Sequence, residues 1–216
     1  MLDQDPLVLI VSLGLLSLAP FIAVMVTSYA KLVVVLSLVR NALGLQQVPP
    51  NMVVNGLALV LSLYIMAPLA NQFTELTEAQ VGNGQMRASG MIQALSKARE
   101  PLRAFLSKHA NPREREFFVR STERLWPADE VAKLKVDDLL ILVPAFTVTE
   151  LTSAFKIGFL IYLAFVVVDL VVANILVALG MMMFSPTVVS TPLKLMLFVM
   201  LDGWAKLIHN LILSYQ

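Results

Sequence analysis

Residues 157–184 read IGFLIYLAFVVVDLVVANILVALGMMMF, an apolar stretch whose single charged residue is Asp169. A helix needs about 20 apolar residues to cross roughly 30 Å of hydrocarbon, so this stretch is long enough to span a bilayer. Within lipid a lone segment must satisfy its own backbone hydrogen bonds, which makes it a helix. Working outward, three further apolar runs occur. Residues 7–39 form one, marked by Pro20, Tyr29 and Lys31; residues 53–70 form a second. Residues 195–213 form the third and carry Asp202, Lys206 and His209. The weaker stretch 139–155 holds Pro144 and Glu150 and reads as a re-entrant or bundle-internal helix leading into 157–184.

Composition agrees with burial in something other than water. The chain has 216 residues, 58% of them hydrophobic and 14% charged, with mean hydropathy +0.78. Soluble domains carry about 25% charged residues, and a chain this short leaves much of its surface uncovered. Lipid or other apolar subunits must cover it. The net charge of +1 offers no basic excess for nucleic acid. With no cysteine, disulfides, thiol catalysis and thiolate metal sites are excluded together. The first residues carry Asp3 and Asp5 and no base. A cleavable signal needs a positive start, so the first run is expected to be retained.

Charge is concentrated in one place. Residues 73–140 hold 11 Lys or Arg and 10 Asp or Glu, 21 of the chain's 31 charges. Within them Gly82, Asn83 and Gly84 mark a turn. Residues 86–109 read as a helix stopped by Asn111-Pro112, and 113–125 as another stopped by Trp126-Pro127. Phe117 and Leu125 fall on faces that could pack. The organisation expected is therefore an apolar hairpin over 1–72, a polar helical insert over 73–138, and apolar helices with a methionine-rich loop over 139–216. The fold class is all-α, with about four membrane spans and a small extramembrane insert. Lys31 and Arg40 follow the first run while only acids precede it. The positive-inside rule then puts the N-terminus and the insert outside the cytoplasm and the 40–52 link within it.

Ionisable groups in apolar helices cost about 2.5–3.5 kcal/mol on insertion scales and so mark function by default. Lys156, Asp169, Lys194, Asp202 and Lys206 qualify, with Glu150 just upstream. Asp202 and Lys206 stand four apart, acid first, the favourable order for an internal salt bridge. Asp169 has no base at helical spacing in its own run; Lys194 and Lys156 are the candidate partners, and a proton relay is another use for such an aspartate. Gly180, Met181, Met182, Met183, Phe184, Ser185 and Pro186 break the helix around three flexible, polarizable side chains. Such a loop could press on copies of itself as a deformable seal, although methionine in an apolar run is more often packing filler. Ala154 and Gly158 are small residues four apart, a hint of close helix packing. His109 and His209 stand at no metal-ligand spacing, and neither a phosphate loop nor a nucleophile elbow occurs. No catalytic, cofactor-binding or metal site is expected.

One family resemblance rests on several of these stretches together. Residues 144–151 (PAFTVTEL), 154–159 (AFKIGF), 165–173 (FVVVDLVVA), the Gly180 to Pro186 loop, 192–195 (PLKL) and 201–204 (LDGW) follow in the order of a known signature. They resemble the family of the flagellar export-gate protein FliP and its type III secretion counterparts SctR, HrcR and YscR. The N-terminal half agrees in layout. Ala164 departs from the family's usual proline, so a kink there is expected to be milder. The absence of a signal at the start favours the secretion-system branch over the flagellar one.

The resemblance implies a core pore-forming subunit of a protein export gate in the bacterial inner membrane, with much of the assembly on the periplasmic side. About five copies would join two smaller hydrophobic subunits, SctS-like and SctT-like, in a helical pore complex. A larger export-apparatus subunit and secretion needle components would be neighbours, and unfolded secreted proteins the cargo. Met181, Met182 and Met183 would form a methionine gasket. Asp169 and Lys194 would match the family's important buried charges, and Glu150 would belong to the same inter-subunit surface. No cofactor is implied. The alternative is an ion-coupled transporter or proton channel using Asp169; a membrane-bound enzyme lacks any catalytic constellation. Transporters commonly carry inverted repeats, and none is found here.

Overall fold

The structure is a computed structural model describing residues 14, 17, 18, 20–81 and 88–216, with side chains described outside 73–98. The turn expected at Gly82, Asn83 and Gly84 lies outside the described residues. Regular structure among those described is helical throughout. In chain order the helices are α1 (Pro20–Val26), α2 (Tyr29–Ala42), α3 (Asn51–Val81), α4 (Ala88–His109), α5 (Pro112–Leu125), the short α6 (Ala128–Val131), α7 (Leu139–Ala178), α8 (Pro186–Met200) and α9 (Gly203–Leu213). Residues 51–72 of α3 and all of α7 are long and apolar enough to cross a membrane. The spans number up to four if the bent pairs α1–α2 and α8–α9 each count as one.

The core is organised around α2. Its buried residues Leu32, Val35, Leu36 and Val39 recur at helical spacing and so share one face. That face packs against α7 and α3, joined by Val54, Ala58, Ala154, Phe198, Leu207 and Leu211. The small pair on α7 serves as expected. Ala154 is buried, and a Cβ at Gly158 would stand 2.3 Å from Leu38 Cδ1, so only glycine lets the two helices approach this closely. A second cluster joins Val26, Leu106, Ala110, Leu142, Ala145 and Phe146. It seats α4 and α5 on the first turns of α7.

Of the two readings of 139–155 the structure takes the second: the stretch is not re-entrant but a partly buried helix that runs on into 157–178 as α7, 40 continuous residues. Pro144 removes one backbone bond six residues into the helix. Packing of Leu142, Ala145 and Phe146, all fully buried, holds the helix through it. At 1.5 Å per residue α7 is about 60 Å long, twice the hydrocarbon thickness. Its whole length cannot lie in a bilayer.

The first apolar run is bent between residues 26 and 29. α1 and α2 meet at 78°, and the buried Ser28 at the break donates to Ser62 Oγ at 3.1 Å. The last apolar run is likewise divided, with 61° between α8 and α9. Finally, Phe117 and Leu125 are exposed, whereas Phe118 packs on the second cluster. The ends of α5 do follow the sequence: Asn111 Oδ1 accepts from Arg113 N at 2.9 Å, and Pro112 fills the first helical turn.

Candidate functional site: two buried ion pairs and a methionine turn

α7 supplies an acid to each of two polar clusters. Near its C-terminal third, Asp169 meets Lys194 of α8, with Nζ 2.6 Å from Oδ2. Lys194 Nζ also donates to the carbonyl of Ala42 at the end of α2, 3.2 Å away, and Ser190 Oγ donates to Asp169 Oδ1 at 2.5 Å. Lys194 is 5% exposed in its side chain and Asp169 32%. Of the two candidate partners for Asp169, the structure brings Lys194 to it. Lys156 points outward on α7 and forms no ion pair among the described residues.

Six residues after Pro144, the second acid is enclosed from several helices. Glu150 Oε1 lies 3.8 Å from Lys31 Nζ of α2, with side-chain exposures of 4% and 5%. The hydroxyl of Tyr215 donates to Glu150 Oε2. Lys31 donates to Ser214 Oγ at 2.9 Å and stands 4.3 Å from the centre of the Tyr215 ring. Burial raises the Tyr215 phenol above its ordinary range, and the charge and hydrogen bond of Glu150 add to that shift. In the sequence Lys31 serves only to orient the chain, and neither it nor Tyr215 is recognisable as Glu150's partner, because residues 119 and 65 positions away share no helical spacing with it.

Asp202 and Lys206 do not make the helical salt bridge expected of them; among the described residues no ion pair joins them. Asp202 sits at the break between α8 and α9 in the left-handed region, with φ 51°. It therefore lies outside the helix whose geometry would bring the two together. The adjacent Gly203 is forced, since a Cβ there would meet the Phe198 ring at 2.4 Å.

The methionine turn is built by helix capping. α7 stops at Leu179 because Gly180 takes φ 72°, a conformation glycine adopts without steric cost. Gly180 N donates to Val177 O at 3.0 Å and Met181 N to Leu176 O at 2.9 Å, the bond pair of a Schellman ending. On the other side Pro186 opens α8 and Val188 N donates to Ser185 O at 3.1 Å. Between these fixed ends the methionines project outward: Met181 is 36% exposed, Met182 78% and Met183 100%. Leu179 and Phe184 beside them are exposed as well. No cluster of three or more His, Cys, Asp or Glu able to hold a metal occurs among the described residues.

The exposed apolar surface continues from that turn. Phe155, Phe159, Leu163, Val167 and Leu170 on α7, and Val188, Val199 and Met200 on α8, are all uncovered. Large apolar side chains left bare in this number call for lipid or neighbouring subunits against them.

Comparison with known proteins finds likeness along nearly the whole chain. The FliP family profile matches residues 12–211. The hypersensitivity response secretion protein HrcR of Ralstonia nicotianae is 53% identical over 209 residues, covering 96% of each chain. The Yop proteins translocation protein R of Yersinia pestis is 51% identical over 214 residues, 98% of this chain and 97% of that one. The virulence protein YscR of Salmonella typhimurium is 48% identical over 216 residues, 100% of this chain and 99% of that one. On this full-length agreement, the chain belongs to the FliP family.

Proposed function

We propose that this chain is a pore-forming core subunit of a type III secretion export gate in the bacterial inner membrane, and that its methionine turn seals the pore. The observation that carries the reading is the full-length likeness to proteins named for secretion and translocation. The uncovered faces of α7 and α8 support assembly, since an apolar surface of that size needs lipid or neighbouring subunits against it. About five copies with two smaller apolar subunits make up the complex, with a larger export-apparatus subunit and needle components as neighbours, and unfolded proteins leave the cytoplasm through it.

The turn supplies the chemistry of the seal. A passage for many different unfolded chains cannot depend on side-chain-specific contacts. Thioether side chains on a short turn between two helix ends are apolar enough to exclude water and flexible enough to deform around cargo. No cofactor or reaction is required. Asp169 is held by Lys194 and Ser190, which favours a structural use over the free carboxylate a proton-coupled transporter needs. The polar stretch 73–138 and the lower turns of α7 stand on the outer side of the bilayer in this reading.

Replacing Met181, Met182 and Met183 together by alanine tests the seal. The assembled complex is expected to form in normal yield, and membranes containing it to conduct ions in the absence of cargo. An assembled triple variant with unchanged conductance would rule the turn out as the closure.

A further inference from the structure

The segment just beyond α9 is held in a way that neither the seal nor the apolar surface requires. Here Ser214 and Tyr215, just beyond α9, are gripped by α2, α4 and α7. Lys31 holds both, by the bond to Ser214 and by its ammonium over the Tyr215 ring. Glu150 accepts from the Tyr215 hydroxyl. From α4, Phe105 stacks on the Tyr215 ring with centroids 6.4 Å apart and planes at 10°, while His109 meets it edge-on at 5.3 Å. Phe105 and His109 also pack on each other, at 4.7 Å.

We propose that His109 and Tyr215 form a pH-responsive clasp, in which protonation of His109 places a second cation beside Lys31 and releases Ser214 and Tyr215 from α2, α4 and α7. A neutral imidazole packs against aromatic rings at little cost, whereas an imidazolium in a half-buried position loses hydration and repels its cationic neighbour. The charged groups around it leave that repulsion uncompensated. Lys31 of α2 and Lys108 of α4 are both positive, and Glu150 of α7 is already taken by Lys31 and the Tyr215 hydroxyl. The other cations of this junction, Arg103 of α4 and Arg115 of α5, are paired with Asp138 and Asp137.

The titration of His109 agrees with this geometry. Burial lowers it below the ordinary value of 6.5, and Lys108 and Lys31 push the same way. A group depressed on folding stays neutral longer in the folded chain than in the released one. The clasp therefore holds in full above 6.5 and is lost as pH falls through the lower folded value. His109 belongs to the polar α4 and the clasp is independent of the seal, so the two readings can fail separately.

The absence of cysteine makes the test direct. Single cysteines at the exposed Ala104 of α4 and at Gln216 accept spin labels, and pulsed electron paramagnetic resonance reads their separation in detergent. At about pH 7.5 one short distance is expected; at about pH 5 a second, longer population appears. His109→Gln, neutral at every pH, should keep the short distance at both. Tyr215→Phe, which keeps the ring but loses the bond to Glu150, should show the longer population already at the higher pH. A distance in the unaltered chain that ignores pH overturns the switch. A pH response that survives in His109→Gln overturns the assignment, and an unshifted Tyr215→Phe overturns the clasp itself.

Discussion

Lys31–Glu150 and Asp169–Lys194 each join an acid of α7 to a lysine of a neighbouring helix, yet their surroundings are opposite. Glu150 lies where α2, α4 and the C-terminus close over α7, and both members of its pair are shut off from solvent. Asp169 lies where α7 is bare on its outer side, and a third of its side chain is open. The first pair is complete within one chain. The second sits on the edge of the surface that, in the proposed assembly, other subunits cover. Along a single helix the fold thus passes from a finished core to an unfinished one, and the charges record the change.

The contrast is broken most forcefully at the enclosed pair. Glu150→Ala leaves Lys31 buried without a counter-charge, and the expected loss is about 3–5 kcal/mol, read by denaturant unfolding in detergent. Replacing both members, Lys31→Met with Glu150→Leu, should recover most of that loss, because well-packed apolar groups often substitute for a buried pair.

Asp169→Ala is expected to cost less in the isolated chain, about 1.5–3 kcal/mol, since Lys194 retains the Ala42 carbonyl. Its larger effect should appear as reduced recovery of the assembled complex by size-exclusion chromatography. If Asp169→Ala destabilised the lone chain more than Glu150→Ala, the distinction between finished and unfinished ends would be wrong. The smallest effect is expected at Lys206. Without an ion pair to Asp202, Lys206→Ala should shift stability by no more than about 0.5 kcal/mol in the same unfolding measurement.

These pairs also mark what could be read from the sequence. Local chemistry was legible: Asn111-Pro112 separates α4 from α5, and Gly180 and Pro186 break the chain between α7 and α8. For Asp169 the sequence narrows the partner to Lys194 or Lys156, because a lone acid in an apolar helix requires a base, and packing of α8 on α7 selects Lys194. Glu150 could not be matched with Lys31 and Tyr215, because tertiary packing alone brings them together. The failure at Asp202 and Lys206 is equally physical. Spacing four implies contact only while the helix continues, and Asp202 stands at its break. Pro144 misled in the other direction: a proline near a helix start loses one bond, and the buried side chains around it make up the deficit.

The central claim, that the bare half of α7 and the methionine turn belong to a multi-copy export gate, is tested most directly by native mass spectrometry. The chain would be co-expressed with its small apolar partner subunits and extracted in detergent. A species containing several copies with those partners attached is the result expected. A lone monomer or a symmetric dimer, with the partners present and unbound, would contradict it.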